Sequence, residues 1–266
     1  MTPFYQKLLD IQQRASWGEL SQYSQPQSWT QLLFEERHLI ARLFFERCCL
    51  ELCPVRRYPQ GFRIAEQLFP QTADFFFQEA QLFLTNKSSP YHLIWAEKAL
   101  ARAIQLAPNF VSAWAARAQV LLDLVTEGRS DPSKKLQLAE KSLDRLKKLL
   151  PFPNPEETLL LARLAAQTNF CKAKLSGEPK DWQEALFYHQ HCETLGHSSP
   201  SFLFQFAEVY AHLGGLLKDK RFNQLALAYY DRSLATPFPH LLALLNKAWL
   251  LTDLAESDGS VKALQV

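Results

Sequence analysis

The sequence predicts an all-α protein built from stacked helix pairs, and three observations lead to this prediction. Glycine is scarce, with 8 residues in a chain of 266, which is typical of helices. The 15 prolines fall mostly between amphipathic stretches, where they interrupt helices. Small residues recur within these stretches at intervals of 38, 44, 45 and 41 residues, at Ala80, Ala118, Ala162, Ala207 and Ala248. A single helix pair cannot bury its apolar face alone, so such a repeat predicts stacked copies.

Residues 1–72 do not show this repeat. The stretch Trp29–Leu52 has the pattern of one long amphipathic helix, with apolar residues Leu32, Leu33, Ile40, Leu43, Phe44 and Leu50. Pro54, Pro59 and Pro70 then break the chain. Because terminal repeats of such stacks are atypical, we expect residues 1–72 to form an N-terminal helical cap.

The clearest helix pair junction is the stretch from Trp95 to Leu122. One apolar stripe comes before Pro108 and the next follows it, with members Ala96, Leu100, Ala103, then Trp114, Ala118 and Leu121. Later second helices repeat the order of apolar stripe and terminator: Ala139, Leu143 and Leu146 before Pro151; Ala185 and Cys192 before Gly196 and Pro200; Ala226, Tyr230 and Ser233 before Pro237.

Together with the run LALAYYDRSLATP from Leu225 to Pro237, these residues resemble the tetratricopeptide repeat family. The resemblance covers residues 73–256, as four pairs and one further helix. It implies a right-handed superhelical stack of antiparallel helix pairs, an α-solenoid. The family's period of about 34 residues is shorter than any interval here, and HEAT-type repeats of about 40–47 residues are the competing architecture. The extra length falls in loop-like segments such as NKSSPYH, TEGRSDPS, LSGEPK and GGLLKDK.

Residues 257–266 would be a tail too short to complete the fifth pair. The last helix is therefore expected to leave an apolar face partly open. Either the sequence is a segment of a longer protein, or this face pairs with something else, self-association included.

Composition and charge exclude several classes of function. The formal net charge of +2 is no reason to expect a nucleic-acid partner. The most apolar window, Leu39–Leu52, contains Arg42, Glu46, Arg47 and Glu51, which a membrane-spanning helix would not tolerate. Five cysteines, three of them between Cys48 and Cys53, do not form a disulfide framework. We therefore expect a soluble, cytoplasmic protein without a cofactor.

The densest polar cluster is HQHCETLGH, in which His189, Cys192 and Glu193 can share a helix face. A zinc site needs about four ligands, and only this segment offers any. We interpret the segment as a core thiol beside solvated histidines, with a metal-dependent enzyme that uses the His189–His197 cluster as an alternative. Two further motifs are interpreted structurally: the basic residues Lys134, Lys141, Arg145 and Lys148 as a solvated outer face, and Gly214-Gly215 as a helix stop.

The resemblance implies that first helices line a concave groove and that their polar residues contact a ligand. The candidates are Gln78, Gln81, Gln119, Asp123, Arg163, Gln167, Gln205, Glu208, His212 and Asn246. Amides can donate to and accept from a peptide backbone, and Phe77, Phe204 and Trp249 could add apolar pockets. The expected function is a non-catalytic scaffold or adaptor that binds a peptide or helix of another protein. A bacterial secretion-type chaperone that holds a client segment is the alternative.

One subclass of the family can be questioned directly from the sequence. Members that grip a C-terminal carboxylate use lysine, arginine and asparagine at fixed places on the first helices. Here those places carry Ala115, Ala116, Leu159 and Leu160. A two-carboxylate clamp is therefore not expected.

Overall fold

The computed structural model describes residues 2–14, 72–85, 91–128, 131–236 and 241–257, with positions 19, 32, 33, 36, 39, 40 and 43. Within this part of the chain all regular structure is α-helical, which confirms the predicted all-α class. The helices are α1 Pro3–Arg14, α2 Ala73–Thr85, α3 His92–Leu106, α4 Val111–Thr126, α5 Pro132–Leu149, α6 Pro155–Ser176, α7 Pro179–Thr194, α8 Pro200–Leu217, α9 Lys220–Leu234 and α10 Leu241–Ser257.

The chain divides into two units, Met1–Val120 and Leu121–Val266, and the boundary falls inside α4. The predicted boundary after residue 72 stays a prediction. No helix in the described ranges is long and apolar enough to cross a membrane.

In the first unit, α1 contributes a small core that the sequence analysis did not foresee. Leu8 and Ile11 of α1 are buried against Leu39, Ile40 and Leu43. Leu33, predicted to belong to the same apolar stripe, is 55% exposed. Leu32 also lies in the described part. The other residues named for the predicted cap helix, the nearby cysteines and the prolines after them lie outside it: Phe44, Cys48, Cys49, Leu50, Cys53, Pro54, Pro59 and Pro70.

The junction between α3 and α4 matches the prediction. The helix α3 ends at Leu106, just before Pro108, and α4 begins at Val111. The predicted stripe of Ala96, Leu100 and Ala103 is buried. The indole N–H of Trp114 donates to the Pro108 carbonyl at 2.9 Å, which ties the turn to the helix after it.

In the second unit, local signals fix several helix ends. The side chain of Asp131 accepts a hydrogen bond from the Lys134 backbone N–H at 3.1 Å, just before α5. Asn154 and Glu157 form a reciprocal capping box at the start of α6. Gly177, with a φ of 70°, ends α6 in the left-handed conformation that glycine adopts without steric cost. The ends at Asp131 and Gly177 agree with the loops predicted at TEGRSDPS and LSGEPK.

The interpretation of Gly214-Gly215 as a helix stop is wrong. The helix α8 continues through both glycines to Leu217, and Lys218 takes the left-handed conformation, with a φ of 54°. A Cβ atom at Gly214 would lie 1.9 Å from the Asn223 Oδ1 of α9. Gly214 therefore permits the close approach of α8 and α9 and does not end the helix.

Successive helices of the second unit, from α5 to α10, contact one another in chain order, and α8 also contacts α10. A core shared by α6 to α10 includes Ala162, Cys192, Phe206, Tyr210 and Tyr230. The predicted packing alanines Ala162 and Ala207 are buried, whereas Ala248 on α10 is exposed. The last helix is thus covered on one side only.

Candidate functional site

A row of hydrogen-bonded polar side chains connects alternate helices of the second unit. The Gln167 amide of α6 donates to the Asp123 carboxylate of α4 at 3.3 Å. Further along α6, the Lys174 ammonium lies 3.4 Å from the Glu208 carboxylate of α8. The Asn246 amide of α10 donates to the same carboxylate at 2.8 Å. We call these five residues the polar row. They connect the helices that were predicted to come first in their pairs.

The centre of the polar row is a carboxylate with little access to water. Glu208 is 8% exposed, and its two oxygens face different partners: Asn246 on one side and Lys174 on the other. A buried charge is tolerated only when it is paired and hydrogen-bonded. Lys174 remains 46% exposed at its side chain, so the row has one edge in water.

The remaining predicted site residues of the second unit lie near this row without being part of it. Arg163 on α6 is exposed, and Gln205 on α8 is half-buried. The ring of His212 stacks on the buried indole of Trp182 at 4.1 Å between centroids. This contact removes water from one face of the imidazole, and that desolvation lowers the pKa of His212.

In the first unit, two predicted site residues, Gln78 and Gln81, are exposed on α2, and Gln119 is half-buried on α4. The predicted pocket residue Phe77 is half-buried against Phe110, with ring centroids 4.9 Å apart. Among the predicted residues, hydrogen bonds join two pairs: Gln167 with Asp123, and Asn246 with Glu208.

Two residues beside the predicted site were missed by the sequence analysis. Lys174 follows Gln167 by seven residues on α6, which places both on one side of the helix, so its position in the row could have been inferred. Trp182 belongs to α7, a predicted second helix, and no signal in the sequence linked it to His212.

His189, the first histidine of the cluster, is not solvated as predicted. His189 is fully buried among the rings of Phe170, Phe202 and Phe206, and its Nδ1 lies 2.8 Å from the Ala185 carbonyl oxygen. Its Nε2 is buried without a hydrogen-bond partner. The four-residue spacing from buried Ala185 was a signal for this burial.

The other polar groups of the cluster point to different places. The Glu193 carboxylate accepts hydrogen bonds from the Tyr229 hydroxyl at 2.6 Å and from the Arg232 guanidinium at 2.7 Å. His197 Nε2 lies 3.1 Å from the Ser199 hydroxyl, and His191 is exposed. Among the described residues, no group of three or more His, Cys, Asp or Glu side chains could hold a metal ion.

The two described cysteines are buried free thiols, which for Cys192 confirms the predicted core thiol. Cys171 Sγ lies 3.8 Å from the Thr126 hydroxyl, and Cys192 lies in the core between α6, α7 and α8. Burial raises the pKa of each thiol to about 11. A raised pKa leaves little thiolate, so both sites are poor nucleophiles.

The basic residues of α5 are mostly solvated, in agreement with the prediction. Lys134, Lys141 and Lys148 are exposed, and Arg145 is half-buried.

Comparison with protein-family models finds no match for this chain, and comparison with curated proteins also finds none.

Proposed function

We propose that this protein is a non-catalytic interaction scaffold that binds an extended peptide segment of another protein. Its helices would form a right-handed superhelical stack of antiparallel pairs that resembles tetratricopeptide repeats. The observation that supports this most is the polar row, whose side chains connect α4 to α6, α6 to α8 and α8 to α10. Aligned helices provide a continuous surface along which an extended segment can lie.

The chemistry of this face suits a peptide of mixed or low charge. The row itself contains two carboxylates, one ammonium and two amides, which leaves one negative charge uncompensated within it. Arg163 and Gln205 add an exposed guanidinium and a half-buried amide on the helices that carry the row. Amides both donate to and accept from a peptide backbone, whereas the guanidinium can hold a carboxylate of the ligand.

The proposal also includes a cellular setting. Cys171 and Cys192 are buried free thiols in the structure. Such thiols persist in a reducing compartment, which supports the cytoplasm as the site of action.

The test combines partner identification with a matched pair of variants. Proximity labelling in the native host provides candidate partners, and their segments are then titrated against the purified protein. The double variant R163A/Q205A should weaken binding at least about tenfold, because each lost contact is worth roughly 1 kcal/mol or more. The control K134A/K141A removes two exposed charges from α5 and should bind like the wild type. Equal binding by all three proteins would refute the proposed face.

A further inference from the structure

A broad apolar face on α10 is exposed to solvent. Trp249 is 68% exposed, and five leucines of the same helix are between 46% and 77% exposed. We call this surface the α10 face, formed by Leu241, Leu242, Leu244, Leu245, Trp249 and Leu251. The opposite side of α10 is anchored, because Ala243 is fully buried and Asn246 bonds to Glu208.

The α10 face is larger than the apolar patches that monomeric proteins usually expose to solvent. From the fractional exposures, the six residues together expose on the order of 700 Å², above the roughly 300–600 Å² of the largest apolar patch on a typical monomer. A standard interface buries about 800 Å² on each partner. The face therefore has nearly the area that one side of a stable dimer needs.

The face is also almost free of charge. Between Leu241 and Thr252 the only charged side chain is Lys247, which is paired with Asp231 of α9. A partner surface must therefore be equally apolar, and this chain presents one such surface itself. The small net charge of +2 adds little repulsion between two copies.

We propose that the α10 face binds the α10 face of a second copy of this chain, which forms a two-fold symmetric dimer. In such an isologous interface the same residues meet across the axis, so each side chain contributes twice. The exposed, small Ala248 lies in the middle of the stripe, where it allows two helices to approach closely. The two proposals are tested at different residues, since Arg163 and Gln205 lie on α6 and α8 and the dimer surface lies on α10.

Sedimentation velocity of the full chain over a range of concentrations tests this proposal. The wild type should sediment as a species of twice 30.6 kDa. The variant L245E/W249E should raise the dimer dissociation constant at least about 100-fold, because two central contacts are lost on each copy. The control L106E/F187E changes a leucine and an aromatic residue of similar exposure, 52% and 65%, on α3 and α7. It should leave the dimer intact.

Two results would overturn the proposal. If the wild type sediments as a monomer at every concentration, the α10 face does not bind a second copy of this chain. If L245E/W249E still dimerises like the wild type, the copies meet elsewhere. Peptide binding by R163A/Q205A is measured separately, so either proposal can fail without the other.

Discussion

The Asn246 amide donates a hydrogen bond of 2.8 Å to the Glu208 carboxylate and so connects α10 to α8 across 38 residues of sequence. The other oxygen of Glu208 faces the Lys174 ammonium of α6 at 3.4 Å. One largely buried carboxylate thus joins three helices that are far apart in the sequence. Its removal should affect the packing of all three.

Substitution of Glu208 by alanine should lower the free energy of unfolding by roughly 2–3 kcal/mol, because Asn246 and Lys174 both lose their shared partner. The variant E208Q keeps an acceptor for Asn246 and should cost about half as much. Urea unfolding followed by circular dichroism measures both values. The control D144A removes an exposed carboxylate of α5 and should change stability by less than about 0.5 kcal/mol. Equal effects of E208A and D144A would contradict the role assigned to Glu208.

The sequence could predict which faces are polar but not which residues pair. Helical periodicity placed Asp123, Gln167, Glu208 and Asn246 on the faces away from the apolar stripes. The pairs Asp123–Gln167 and Glu208–Asn246 depend on how far each helix is shifted along its neighbour. That shift is set by loop conformation and core packing, which a periodic pattern does not encode.

The adjacent glycines of α8 should respond in opposite ways to alanine. In G214A the new Cβ would meet the Asn223 side chain, and the resulting repacking should cost about 1–3 kcal/mol. In G215A the Cβ meets nothing within 4 Å, so the variant should gain roughly 0.5–1 kcal/mol from helix propensity. Thermal or urea unfolding of both variants measures the difference.

A second change identifies the cause of the G214A effect. The double variant G214A/N223A removes the side chain that the new methyl group meets. The loss of stability from G214A, measured against N223A, should therefore be smaller than its loss measured against the wild type. If G214A and G215A have the same stability, close helix contact at Gly214 is not the reason for this glycine.

The wrong prediction for Gly214-Gly215 and the missed helix α1 have related causes. Glycine usually ends helices, and only the presence of Asn223 on the neighbouring helix shows why it is tolerated inside α8. The helix α1 buries Leu8 and Ile11, with Phe4, Tyr5 and Leu9 packed beside them, and the buried partners start 28 residues later at Leu39. In both cases a tertiary contact decides the local structure. The α3–α4 junction was predictable because Pro108 acts locally.

The thiols of Cys171 and Cys192 should resist alkylation in the folded protein. With a pKa of about 11, each is thiolate at only roughly 0.1% at pH 8, and burial restricts access further. Iodoacetamide labelling at pH 8, read by mass spectrometry of each cysteine peptide, should show little modification until urea is added. Rapid labelling of Cys192 in the folded protein would contradict its place in the core of the second unit.

His189 should make the stability of the second unit depend on pH. Burial lowers the pKa of its imidazole from 6.5 to about 4, because the cage of phenyl rings cannot solvate a charge. Between these values the unfolded chain binds a proton that the folded chain excludes. The buried imidazole therefore costs no stability above about pH 6.5. As the pH falls from there towards 4, the free energy of unfolding decreases, and the decrease reaches about 3 kcal/mol at pH 4.

Urea unfolding at several pH values between 7 and 4 measures this loss, and two leucine variants assign it. H189L removes the titrating group from the cage, so its free energy of unfolding should fall much less over that range, whatever its value at pH 7. H191L changes an exposed histidine of the same helix and should keep the slope of the wild type. A smaller pH dependence remains expected in H189L, because partial burial also lowers the pKa of His197 and His212. If H189L and the wild type lose stability in parallel, the buried imidazole is not the group that titrates.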